Sequence, residues 1–217
     1  MTPIQTSGPA LEPISRAEAK NFLRVDSDLT ADDLLIDLLI SSARMEAESL
    51  TGRSFISQTY KVVLDSFPNW CEMAVSYNAP YNLPANAIQI ERGPVISVDS
   101  IAYTAMDRST QTMPATDYTI TGLSALGDLR PPLARITPVF GKIWPIPLPQ
   151  IGAVTVNYTA GYGATAASVP AGIKSWILMR IKSRYDMRGE VAIAGRGKIE
   201  PLPWVDHLLD PYRAVLA

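Results

Sequence analysis

The apolar period changes twice along this chain, and those two changes limit the fold more than any other feature. Up to Gly52 apolar residues recur at helical spacing; from about Thr59 they alternate; after Pro170 the helical spacing returns. Spacing of three to four lays apolar groups along one side of a helix, whereas alternation lays them on one face of a strand. The order helix, helix, strands, helix, tail makes this an α+β protein. The expected architecture is a small helical bundle, with two N-terminal helices and one long C-terminal helix, interrupted by an antiparallel β-rich insert and followed by a C-terminal tail.

Each helix carries its own start and stop signals. Ser15-Arg16-Ala17-Glu18 is a capping-box pattern, so a short helix is predicted to about Leu23, with Ala19, Phe22 and Leu23 facing inward. A second, longer helix is predicted from a cap at Thr30 or a neighbour to just before Gly52. Its apolar set is Leu34, Leu35, Leu38, Leu39, Ala43, Ala47 and Leu50, wide enough to contact more than one neighbour. Ser168-Val169-Pro170 places a cap and a first-turn proline ahead of the third helix, whose stripe is Ile173, Trp176, Ile177, Ile181 and Tyr185 and which should stop near Gly189.

Between these helices, residues 60–65, 88–91, 98–103, 118–121, 135–140 and 154–158 read as short strands separated by Gly, Pro and Asn, forming a compact antiparallel sheet or small barrel. Two connections are rich in proline, residues 67–94 and 130–149, the second holding six. Loops of that length in a small domain are expected contact surfaces. The resulting division is a flexible arm at 1–14, helical parts at 15–56 and 161–189, the β insert at 57–160, and a linker with docking tail at 190–217.

Composition excludes several classes. Apolar residues make up 47% of the 217 and charged residues 18%, a globular balance. The densest apolar stretch, 34–40, is interrupted by Asp37 and far short of the roughly 18 residues of a membrane span. The first 14 residues have neither a basic start nor an apolar run, so they read as an arm and not a signal peptide. One cysteine, Cys71, forms no internal disulfide, which fits synthesis in a reducing cytoplasm. A net charge of −2 excludes a globally basic nucleic-acid coat but leaves room for a local basic face.

No enzyme site assembles from the remaining groups, and no cofactor or metal is expected. Gly161-Tyr162-Gly163-Ala164-Thr165-Ala166 has the G-x-G-x-x-A form of a dinucleotide turn, yet the next helix starts only after Ser168 and Pro170, too late for its amides to meet a pyrophosphate. Asp26, Asp28, Thr30, Asp32 and Asp37 echo a calcium loop, but the glycine required at position six is Ala31 and the final glutamate is the shorter Asp37. Helix capping accounts for these acids more simply. His207 has no second histidine, and Cys71 lies in no nucleophile motif.

Two segments look built for contact. Lys174, Arg180, Lys182, Arg184 and Arg188 gather towards the end of the third helix, the three arginines at four-residue spacing on one face. That face is either a solvated helix end or a charged contact, with an acidic partner or with DNA; the DNA reading makes residues 174–188 a nucleic-acid-binding helix. The tail combines Trp204, Leu208, Leu209 and Tyr212 after a glycine-bearing linker, which suits an arm that orders on docking.

Taken in order, the segments 15–26, Leu50-Thr51-Gly52-Arg53, Gln58-Thr59-Tyr60, Phe140-Gly141-Lys142-Ile143-Trp144-Pro145, 156–163, 169–174 and Leu208-Leu209-Asp210-Pro211-Tyr212-Arg213 make the chain resemble the head-tail connector (adaptor, or head-completion) proteins of tailed bacteriophages and gene transfer agents. The resemblance implies a structural, non-enzymatic subunit in the virion neck, assembled in the bacterial host cytoplasm as a ring of twelve copies. Such a ring sits under the portal protein, extends the channel for DNA passing without sequence specificity, and meets a head-closure (stopper) or tail protein; no membrane is involved. It also implies a portal-docking tail, here Trp204, Leu208, Leu209, Tyr212 and Arg213. For the subunit-subunit or channel face the candidates are Leu35, Leu39, Arg180, Arg184 and Arg188.

Overall fold

The computed structural model describes residues 2–68, 86–124, 132–187 and 203–214. Cys71, Arg188, the 190–202 linker and the side chain of Trp204, all singled out above, lie outside the described residues. The elements are β1 (Ile4–Ser7), α1 (Arg16–Leu23), α2 (Asp33–Thr51), β2 (Gln58–Leu64), β3 (Ile88–Ile90), β4 (Val95–Thr104), β5 (Thr110–Thr112), β6 (Tyr118–Thr121), β7 (Ala134–Pro138), β8 (Val154–Ala160), α3 (Ala171–Asp186) and α4 (Pro203–His207). The fold class is α+β as expected, with the helices packed together and the strands in antiparallel sheets.

The local signals explain the helices. The Ser15 hydroxyl accepts from the Glu18 amide at 3.2 Å while a Glu18 carboxylate oxygen accepts from the Ser15 amide at 2.8 Å, closing the capping box. α2 ends as Gly52 turns left-handed at φ 66°, a conformation that costs glycine little. At α3 the expectation needs correction: Pro170 itself occupies the cap position, because the Ser168 hydroxyl pairs with that of Thr165 at 3.0 Å.

The sides of α1 and α2 also differ from the expectation. Ala19 and Leu23 are buried but Phe22 is exposed. On α2 the buried stripe is Ile36, Ile40, Ala43 and Ala47, while Leu34, Leu38 and Leu50 are exposed. At 100° per residue, Leu34, Leu38 and Met45 fall on the side opposite that stripe. The sequence set merged two faces: α2 is apolar both towards its own core and away from it.

The helical core joins α1, α2 and α3 through Ile14, Ile36, Ile40, Ile173, Trp176 and Ile177, together with Leu209 and Tyr212 from the tail. A separate core lies between two antiparallel sheets, one ordered β1-β2-β8-β4-β5 and one ordered β3-β7-β6. Register places Tyr60 opposite Tyr158 and Val62 opposite Val156, so alternate residues of β2 and β8 point into this core; the two tyrosine rings stack at 5.6 Å. β4 carries two register shifts along β8, which lets it bend around the core while pairing on over ten residues. Strands β2 to β8 fall within the expected β insert. Residues 4–7, expected in a flexible arm, instead form edge strand β1 on β2, joined by side-chain bonds from Gln5 to Gln58 at 2.5 Å and between Thr6 and Thr59 at 2.9 Å.

Candidate assembly interface

The glycine string is part of the junction between the two cores. The Tyr162 amide donates to the Phe55 carbonyl at 2.9 Å and the Ser57 amide to the Gly163 carbonyl at 2.9 Å, so residues 161–163 and 55–57 are laced together. A Cβ on Gly161, at φ 146°, would stand 2.7 Å from the Ile56 backbone. The glycine is there for a close crossing of two chains, not for a pyrophosphate. Beside it, the buried Glu48 carboxylate accepts from Arg44 at 2.9 Å, from the Phe55 amide at 2.9 Å and from the Gln58 side chain at 2.7 Å. Gln58 in turn accepts from the Tyr60 hydroxyl at 2.9 Å, and Arg92 donates to Tyr60 at 3.1 Å and Ser54 at 3.2 Å. This polar network ties α2 to β2 and, through Arg44 and Glu12 at 2.8 Å, to the N-terminal arm.

The acidic loop before α2 wraps around a lysine. The Lys20 ammonium donates to the Ser27 and Leu29 carbonyls at 3.2 and 2.8 Å and pairs with Asp33 at 2.6 Å, filling with a tethered cation the centre where a calcium loop would hold its ion. Asp33 and Asp37 both pair with Arg16. Among the described residues no group of three or more His, Cys, Asp or Glu side chains is placed to hold a metal, and no helix is long and apolar enough to cross a membrane.

The basic face of α3 turns towards α2. Arg180 and Arg184 converge on Glu46, with Arg184 Nη2 at 2.6 Å, Arg180 Nε at 3.0 and 3.1 Å from its two oxygens, and Arg184 Nη1 on the Ser42 hydroxyl at 2.7 Å. Glu46 holds the Arg180 guanidinium above its usual pKa, and Arg180 also lies over the Trp176 ring. These arginines therefore clamp two helices of one chain. Lys182 pairs with Asp186 at 2.7 Å. Leu35 and Leu39 are half-buried, Leu39 against the helical core.

The tail residues divide as well. Leu209 is fully buried in the helical core and Tyr212 sits on Gly172, where an added Cβ would stand 2.8 Å from the phenol oxygen. The Ala214 amide donates to the Thr51 carbonyl at 2.7 Å, and Trp176 Nε1 donates to Asp206 at 3.1 Å. Residues 205–214 are thus an integral layer of the bundle. Leu208 is half-buried, and exposed Arg213 pairs with Asp210 at 3.2 Å.

Among the described residues, a further set of exposed apolar groups lies in neither place. In the proline-rich loop at 139–152, Trp144 is buried, stacked on Phe67 at 4.8 Å with its Nε1 donating to the Asn86 carbonyl at 2.6 Å. The Leu148 amide donates to Thr104 at 2.8 Å and the Gly152 amide to Asp65 at 2.8 Å, so the loop is pinned at its centre and its end. From this frame Phe140, Ile143, Ile146 and Ile151 all project into solvent. The expected contact surface at 130–149 contains Phe140, Ile143 and Ile146, with Ile151 just beyond it; their signal is apolar side chains without alternation in a run that has no acid.

A search of curated proteins found no match to the chain. In the virion of a native gene transfer agent particle, one chain matches with TM-score 0.73 at 18% identity, covering 100% of this chain and 97% of that one. A chain in the neck of an empty gene transfer agent particle, computed with C6 symmetry, matches at TM-score 0.70 and 18% identity, and one in the neck of a native particle, computed with C12 symmetry, at 0.64 and 17%, both over the same shares. Residues 15–120, from the capping box of α1 into β6, match the model of the phage gp6-like head-tail connector protein family. That match covers 106 of the 217 residues, just under half of the chain.

Proposed function

We propose that this chain is a structural subunit of the neck of a phage-like particle, forming a ring of twelve copies beneath the portal protein that extends the DNA channel and receives a head-closure or tail protein. The family is one of structural connectors and not of enzymes. The observation that carries the reading is the likeness over the whole chain to neck proteins of a gene transfer agent, one of them in a neck computed with C12 symmetry. Within the ring, DNA passes without sequence specificity.

The internal contacts refine which surfaces serve. Arg180 and Arg184 are committed to Glu46, so the basic helix is not favoured as a free nucleic-acid site. Leu209 and Tyr212 anchor the tail to its own bundle and Leu208 packs against it, so among the described candidates Arg213 is the outward group for the portal. Electron microscopy of particle necks containing the tagged chain tests the proposal: a twelve-copy ring between portal and tail supports it, and a particle neck without the chain refutes it.

A further inference from the structure

The N-terminal arm is fastened to the rest of the chain from outside. From Thr2 to Glu12 no residue is buried; the first that are, Pro13 and Ile14, stand at the root of the arm, Ile14 within the helical core. β1 keeps its place through a four-residue strand whose ladder shifts register between Gln5 and Ser7, the bonds from Gln5 to Gln58 and between Thr6 and Thr59, and the ion pair of Glu12 with Arg44. A segment outside both cores opens at small cost while the cores stay closed.

The seat that it leaves stays built. β2 pairs with β8 along its other side from Gln58 to Leu64, and Gln58 is held by the Glu48 carboxylate and the Tyr60 hydroxyl at 2.7 and 2.9 Å. Arg44 is likewise held by Glu48 at 2.9 Å. An ordered strand edge left without a partner invites pairing with another chain. This edge is also selective: it takes a glutamine and then a threonine, on Gln58 and Thr59, and further along an acid on Arg44. A second copy of the chain supplies all three at the right spacing, because its own arm is the segment that the edge already fits.

The connector limits which copy that is. Gly8 to Glu12 carries no helix or strand, and its residues span at most about 17 Å when extended, so a swung-out arm reaches only a directly adjoining copy. We infer that β1 of one copy docks on the β2 edge of the next in place of that copy's own arm, linking copies by exchanged strands. This rests on the ring reading and deepens it. Exchange conserves every contact of the arm and gives up only the local concentration that the connector provides, about millimolar for a short link, which neighbours held in a ring also supply.

Two chains in a Cys71→Ser background test it, one with Thr6→Cys and one with Thr59→Cys, mixed one to one at about 1 mM in a glutathione redox buffer. The two hydroxyls stand 2.9 Å apart across β1 and β2, so the thiols bond once an arm is seated, and neither chain can make that bond within itself. The heterodimer linked through positions 6 and 59 is expected to exceed the two homodimers by at least about 10-fold. Deleting Ala10 and Leu11 strains the arm seated on its own chain and should raise the yield of heterodimer; a Gly-Ser stretch inserted there relieves it and should lower the yield, with circular dichroism confirming that both variants fold. No excess of heterodimer, or a yield indifferent to connector length, would overturn exchange. In particles, a chain bearing both cysteines should run as a ladder of linked copies on a denaturing, non-reducing gel. Monomers closed on themselves, in necks that still show the ring by microscopy, would sink exchange and leave the proposed function standing.

Discussion

The tail makes a specific energetic demand on the bundle. Leu209 is fully buried in the helical core beside Tyr212, with Val205 and Leu208 packed against the same cluster. Leu209→Ala removes most of an apolar side chain from a packed site, and such truncations cost about 3 kcal/mol, within a range of about 2–5. In a chain of this size that loss lowers the melting temperature by about 6–12 °C. The specific check is the pair Gly172 and Tyr212. Alanine at 172 gains up to about 1 kcal/mol of helix propensity but drives its methyl into the Tyr212 ring, whose atoms stand 2.8 to 3.3 Å from the new Cβ. Gly172→Ala should therefore destabilise the wild type and stabilise a Tyr212→Ala background, a reversal of sign that a mere surface tail cannot produce. Urea unfolding followed by far-ultraviolet circular dichroism reads all four proteins of the cycle. A Leu209→Ala change below about 0.5 kcal/mol, or a Gly172→Ala effect of the same sign in both backgrounds, would refute the docked tail.

Other substitutions probe the junction and the first helix. Glu48→Ala leaves Arg44 and two buried donors without their carboxylate and should cost about 3–5 kcal/mol in urea unfolding, whereas the exposed Asp26→Ala should stay within about 0.5. Gly161→Ala places a Cβ 2.7 Å from the Ile56 backbone at a strongly positive φ; soluble yield and melting temperature should both fall well below those of Gly141→Ala, where open space surrounds the new atom. Glu18 is held below its ordinary pKa of 4.5, chiefly by the Ser15 amide, so the unfolded chain takes up this proton first. Its contribution to stability is complete above about pH 4.5 and lost as pH falls through the lower folded value; Glu18→Gln should flatten that part of the stability-pH curve, and an unchanged curve would count against the capping box.

Much of this could be read from the residues because the governing signals are local. The capping box at Ser15, the stop at Gly52 and the stripe Ile173, Trp176, Ile177 and Ile181 each depend on neighbours within one or two turns, and each stands in the structure. β1 and β5 escaped because every residue of both is exposed, so neither leaves the alternation by which a strand is found. The two faces of α2 merged because leucine carries the same sequence signal in a core as on an outer surface. The contact between Glu46 and the arginines of α3 spans more than 130 positions, and no spacing rule reaches that far. The tail misled for a related reason: Leu209 and Tyr212 have the composition of a docking arm, and they do dock, but on the chain that bears them.

The crossing of 55–57 with 161–163, backed by the Glu48 network, has a consequence for assembly. If the proposed twelve-copy ring forms, each copy turns by about 30° from the last, and any play between helical and β lobes would be multiplied at every step. Two segments hydrogen-bonded at the waist, with a buried carboxylate beside them, remove the bending freedom that a single linker would leave. In the proposed ring, angular tolerance would be set inside the subunit, and Gly161 at the crossing would help decide the circumference.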